Sequence, residues 1–565
     1  MNKLYLIGVL ALTAVATTSC DHLLNDNRYP LSQQVVNPLF WSNASNVIGQ
    51  TNYLYENYLG YGNGSGSGNF YWSTLSDDQV TTVGGSFRNW TYTTTPSTSS
   101  SWTSPYTEIR RCNLIIEGVA SGTLTDAEKA NFTAIARLNR AYQYYQLVRA
   151  YGDVPLVSAV IDTDSEELYA PRDNRDDVMD FALEDLNYAK DNIATKSSKT
   201  EWSRDLAEAM KAEICLFEAA YAKYNAGNST RANKYYNEVI AACEALMPSY
   251  TLNADYATNY QSVRSEMEAN KEVIFAKMYE KGVFMHSLMD YSGSSTPIAG
   301  ISKDAFDAYL FKDGKPLALT SENKSDVGEM VDGNYSIQKL LDVRDSRLSV
   351  TTYPCAMYTG QAWGISNTML MTSTSGYGVA KYNDRRIAYD DAMTANKNYT
   401  CAPLYWLAEI YLAYAEAKAE LGTLTDADLN NTINKLYARA DLPNQTIASL
   451  SGMNDPANNM GVSSLLWEIR RCRRCELIMD NNIRYWDLVR WNQLELLDNT
   501  THPNIMLGIN VSAAAVAPTR QSGDYLDASM GLTRKFTDRE KLYPIPTNQI
   551  TLNSNLVQNP GWSAQ

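Results

Sequence analysis

Apolar positions recur three and four residues apart through most of the chain, the period of an amphipathic helix. In residues 127–151, Ala130, Ala134, Leu138, Ala141, Tyr145 and Val148 fall on one face, and Gly152 and Pro155 of "YGDVPL" stop the run. The same period predicts a helix over 174–193, with Val178, Phe181, Leu183, Leu186 and Ile193 as its apolar members. It predicts alanine-rich helices over 204–225 and 230–247, broken at Gly227 and Asn228. The pattern returns over 402–421, breaks at Gly422 and resumes over 425–440. A last pair is expected over 464–481 and 483–497.

Helices in pairs, with small residues facing and aromatics above them, resemble tetratricopeptide-like hairpins that stack to bury a shared core. The expected fold is therefore mainly α, a hairpin scaffold over about 107–250 and 402–500. Two stretches break the period. Residues 60–105 run from "GYGNGSGSGNFYW" to "TTTPSTSSSWTSP", and residues 280–400 mix loops with short strand-like runs. Both are rich in Tyr and Trp, which disordered segments are not. They read as ordered insertions, where binding residues tend to sit.

The first twenty residues, "MNKLYLIGVLALTAVATTSC", change the picture. Lys3, an apolar run from Leu4 to Ala16 and small residues up to Cys20 describe a secretory signal. The run is shorter than the ~20 residues a membrane span requires. A cysteine at the cleavage position points to a lipoprotein: signal 1–19, lipid on Cys20, and a mature domain over 20–565. Ordinary cleavage after Ala16 is the competing reading.

The net charge of −15 argues against a nucleic-acid binder, which needs a basic face. The remaining cysteines are sparse and scattered, and the three histidines stand in no zinc spacing. Cys472 and Cys475 in "EIRRCRRCELIMDNNIRYWDLVRW" have CxxC spacing, but they lie mid-helix without the strand that precedes a redox motif. They read as core thiols. Glu476 with Arg471 or Arg474, and Asp487 with Arg484 or Arg490, have the spacing of pairs along one helix. No cofactor or metal is expected.

Five segments carry a family resemblance: "RLNRAYQYYQLVRAYGDVPLV" at 137–157, "APLYWLAEIYLAYAEAKAELG" at 402–422, "INKLYARADLP" at 433–443, the arginine-rich stretch at 468–491, and "LYPIPTNQITLNSNLVQNPGW" at 542–562. Together they resemble the SusD/RagB-like outer-membrane lipoproteins of Bacteroidetes, in family order and across nearly the whole mature chain. The resemblance implies a non-catalytic nutrient-binding protein at the outer membrane, facing outward and held by its lipid. It would pass oligosaccharides, or in some members peptides, to a SusC-like TonB-dependent barrel.

Sugars present apolar C–H faces and a rim of hydroxyls, so a glycan site wants flat aromatic platforms beside hydrogen-bonding groups. "YWSTLSDDQVTTVGGSFRNW" offers Trp72 and Trp90 with Asp77, Asp78, Arg88 and Asn89. Trp90 is the first choice of platform, with Arg88 and Asn89 as polar contacts; Trp363, Tyr358 and Tyr377 are added from the second insertion. For each ring, core packing competes with ligand stacking. Asp77 and Asp78 match an acidic pair common in the family and have a structural reading as well. The rival classes are a secreted glycan-degrading enzyme and a structural adhesin. HExxH, GxSxG and GxxxxGK motifs do not occur, and carboxylates alone carry no information in so acidic a chain.

Overall fold

The computed structural model describes residues 38–62, 68, 75–80, 90, 92–293, 299–356, 373–514, 520–529 and 531–563. The signal segment, Cys20, Trp72, Arg88, Asn89, Tyr358 and Trp363 lie outside them.

The expected helices form close to their predicted bounds. After α1 (Ala44–Tyr53) come α2 (Ser100–Ser121), α3 (Asp126–Tyr151), α4 (Arg175–Asn192), α5 (Arg204–Tyr224) and α6 (Ser229–Leu246), each packed on the next from α2 onward. Their starts follow local chemistry. Thr125 and Glu128 form a reciprocal capping box at α3, and Asn174, Ser203 and Asn228 each accept a backbone N–H at the starts of α4, α5 and α6. Gly152 ends α3 with φ of 74°, a conformation that side chains with a Cβ resist. The fold is mainly α, with tetratricopeptide-like packing of helix pairs.

Three expectations are corrected. The insertion drawn to 105 is already helical from Ser100, because Trp102, Ile109 and Cys112 bury one face against the helical core. The helix expected over 402–421 begins at α7 (Leu407–Glu420); the preceding residues form a strand instead. That strand, β4 (Ala402–Trp406), pairs antiparallel with β2 (Val273–Lys277) and is buried along its length. Two-sided burial suits a strand, and a helical period cannot reveal it. The helix expected to 481 ends at Glu476 as α8 (Ser464–Glu476), before a turn that puts Met479, Asn481 and Asn482 at positive φ. Asp480 in that turn accepts hydrogen bonds from Lys381, Tyr260 and Tyr382, and α9 (Ile483–Arg490) starts beyond it.

The second insertion has a core of its own. Tyr309, Tyr335, Tyr353, Tyr377 and Tyr382 are all buried in one apolar cluster with Phe306 and Ile509. The rings of Tyr309, Tyr335, Tyr353 and Tyr382 fill the core while their hydroxyls find partners, which is why Tyr serves there where Phe would not. The C-terminal signature docks on the turn after α3: Tyr543 N–H donates to the Ala150 carbonyl, and Asn559 Nδ2 donates to the Tyr151 carbonyl.

Cys472 and Cys475 are buried, free and face different apolar clusters from the same helix. Burial pushes the Cys472 thiol up to about 12 and raises Cys475 further, so neither is a thiolate at neutral pH. The arginines around them find mostly distant partners. Glu476 pairs with Arg347 at 2.8 Å and with Arg439, not with Arg471 or Arg474. Of the expected pairs along one helix, Asp487–Arg490 forms, at 2.8 Å. The charges are buried, so they are answered by whichever segment packs against them.

Candidate ligand-binding face

Described residues next to segments 81–89, 294–298 and 357–372 meet in one place. β1 (Gln79–Val80) pairs with β3 (Gly300–Ile301), Val80 opposite Gly300. Thr374 Oγ1 donates to the Val80 carbonyl at 2.6 Å, and Ile509 N–H donates to Ser375 at 2.8 Å. At Gly508 a Cβ would lie 1.9 Å from the Ser375 carbonyl oxygen, so the two backbones touch only because no side chain intervenes. Val80, Ile505, Met506 and Ala528 form a small apolar floor beneath this junction.

A buried charge cluster fastens the junction to the helical scaffold. Arg484 donates to both oxygens of Asp77, at 2.8 and 2.7 Å. Arg474 reaches Asp78 at 3.0 Å, Asp304 at 2.7 Å and the Asp77 carbonyl at 3.0 Å. Burial raises the Asp77 carboxyl, but Arg474 and Arg484 outweigh it and hold the group well below the usual carboxylate range. Arg534 donates to the carbonyls of Leu75, Ser76 and Leu497, tying the same stretch to the C-terminal region. A cleft of about 400 Å3 opens beside Arg474 and Arg484, toward Asp455 and Trp467.

Of the residues nominated from sequence, four are described. Trp90 is 8 % exposed; its indole N–H donates to the Lys535 carbonyl at 2.8 Å and its ring meets Phe536 edge-on. It anchors the end of segment 81–89 next to Arg534. Tyr377 is buried, with its ring stacked on Phe306 at 4.3 Å. Asp77 and Asp78 are buried in the ion pairs above, which realises their structural reading. In this structure Tyr377, Asp77 and Asp78 present almost no side-chain surface to a ligand. Sequence reasoning missed that Arg474 and Arg484 of the CxxC stretch are the partners of Asp77 and Asp78. A buried acidic pair and an arginine run were both visible, but nearly four hundred residues separate them.

A helical-hairpin scaffold carrying irregular insertions is the class of protein this structure defines. The SusD family model matches residues 271–562, and a second, described as starch-binding associating with outer membrane, matches residues 31–216. The chain belongs to the SusD family. A SusD-like protein of Bacteroides ovatus is 27 % identical over 192 residues, 32 % of this chain, and the alignment spans 33 % of that relative. A SusD-like protein of Formosa agariphila is 24 % identical over 425 residues, covering 71 % of this chain and 74 % of its own.

Among solved structures, a SusD-like carbohydrate binding protein from Bacteroides fragilis superposes with a TM-score of 0.68 at 21 % identity, over 92 % of this chain and 100 % of that one. Surface glycan-binding protein A from Bacteroides fluxus gives 0.61 at 17 % identity, over 92 % and 100 %. These two likenesses establish the fold. No helix among the described residues is long and apolar enough to cross a membrane.

Proposed function

We propose that this protein is a lipoprotein, held to the outer membrane through Cys20 and facing outward, that captures oligosaccharides and delivers them to a SusC-like TonB-dependent barrel. No bond is broken in the process. Membership of the SusD family carries the reading; the outer-membrane association in the matched family description supports its location. The junction of Val80, Gly300, Ser375 and Ile509 supports where the ligand is met, since it brings together the borders of both insertions. Trp72, Arg88, Asn89, Tyr358 and Trp363 are the proposed contacts, with Trp90 holding the first insertion in place.

Calorimetry with a panel of glucans, galactans, mannans and xylans tests capture, and a reducing-end assay runs on the same mixtures. Saturable binding that weakens at least tenfold in Trp363→Ala, without release of reducing ends, is the expected result. Released reducing ends would assign the protein to the enzymes, and binding of peptides alone would replace the ligand class. Solubilised membranes should yield the protein together with a large β-barrel; recovery of the protein alone would remove the delivery step.

A further inference from the structure

A second cleft lies within the helical scaffold, between α3, α5, α7 and α9. Its volume is about 520 Å3, within the ~300–1,000 Å3 range of small-molecule pockets. None of the nominated insertion residues lines it. Tyr142 and Tyr145 from α3, Tyr405 from β4 and Trp486 from α9 supply aromatic walls.

Between the rings stand polar groups that the fold leaves unanswered. Gln143 is 4 % exposed and its Nε2 has no hydrogen-bond partner among the described residues. Arg473, equally buried, donates Nε–H to Asp487 at 2.8 Å and leaves Nη1 without an acceptor. Asn482 Oδ1 is buried and unpaired as well. Glu409, 6 % exposed, receives no hydrogen bond among the described residues. Each buried unpaired group costs about 1–3 kcal/mol, and Gln143, Arg473 and Asn482 each bring one to this cleft.

Their chemistry narrows what they would bind. Gln143 Nε2 and Arg473 Nη1 donate, and Asn482 Oδ1 accepts. Burial, with the Glu213 charge beside it, pushes the Glu409 carboxyl up to about 8, so near neutral pH it both donates and accepts. Arg473 is answered by Asp487 and Arg490 by Asp487 and Glu416, while Arg149 has the Glu213 charge nearby and lies over the Trp486 ring at 4.2 Å. That leaves no free positive charge at Arg473 and Arg490 for an anion, and no group of three metal-ligating side chains exists among the described residues. A neutral molecule with alternating hydroxyl donors and acceptors, and C–H faces for the rings, matches the set.

We propose that this cleft is a second carbohydrate site, taking a neutral mono- or disaccharide, separate from the insertion face. It rests on the cleft's own side chains and stands or falls independently of glycan capture at that face. The test is calorimetry of the full mature protein with glucose, galactose, mannose, xylose, maltose and cellobiose. Two variants accompany the wild type: Gln143→Leu and Trp486→Leu.

At least one probe is expected to bind. Gln143→Leu should weaken it by about tenfold, the loss of one hydrogen bond, with the unfolding midpoint unchanged or raised, because leucine fills similar volume and needs no partner. Trp486→Leu should also weaken it. If Trp486→Leu does not fold, Gln143→Leu decides alone. Undiminished affinity in Gln143→Leu overturns the proposal. So does the absence of any binding to wild type at probe concentrations on the order of 10 mM.

Discussion

Helix α7 carries two buried glutamates seven residues apart, on the same face and in opposite states. Glu416 accepts from Arg490 Nη1 and Nη2, at 2.5 and 2.8 Å, and from the Trp491 indole at 2.8 Å. Burial raises its carboxyl, but Arg490 outweighs that and holds it at about 2. Glu409, at the other end, meets burial and the Glu213 charge and is pushed up to about 8. Depth is nearly the same for both. The number of donors aimed at each carboxylate decides the charge, and so separates a structural lock from a group left open to a cleft.

The contrast is broken most severely at the lock. Arg490→Met leaves Glu416 and Asp487 buried together without their shared partner, and should cost about 3–5 kcal/mol, read as a lower urea midpoint. Acid probes the same end more gently. Glu416 is depressed from its ordinary 4.5, so its contribution is complete above pH 4.5 and is lost as pH falls toward 2, about 3 kcal/mol in all. Stability measured from pH 5 to 2.5 should therefore fall less in Glu416→Gln than in wild type.

At the open end the sign reverses. The Glu409 carboxyl is raised, so stability falls as pH rises from about 4.5 to about 8. Glu409→Gln should be more stable than wild type at pH 7.5 and no more stable at pH 4; an equal effect at both would show that protonation is not the cause. Smallest of all, Gln143→Leu should change stability by less than about 1 kcal/mol, whereas a large loss would mean that this amide has an internal partner.

Legibility followed the range of the interaction. The stop at Gly152 and the break at Gly227 lie within a few residues of what they terminate, so the chain shows them. The five family segments were legible for the same reason. Residues 402–406 were misread because their strand partner is Val273–Lys277, more than a hundred residues away. The intrahelical pair assigned to Glu476 failed because its side chain is buried where Arg347 and Arg439 arrive. Tyr377 looked like a ligand platform because a ring suited to stacking on sugar is equally suited to stacking on Phe306.

By itself, the chain determined a mainly helical scaffold, the SusD family and the inertness of Cys472 and Cys475, since period, caps and motif order are local properties of sequence. Only the tertiary structure decided which buried charges are answered. Asp77 meets Arg484, Glu416 meets Arg490, and Glu409 meets no donor among the described residues. A carboxylate's state depends on the dielectric and the donors within a few ångströms of it, and packing alone brings those together.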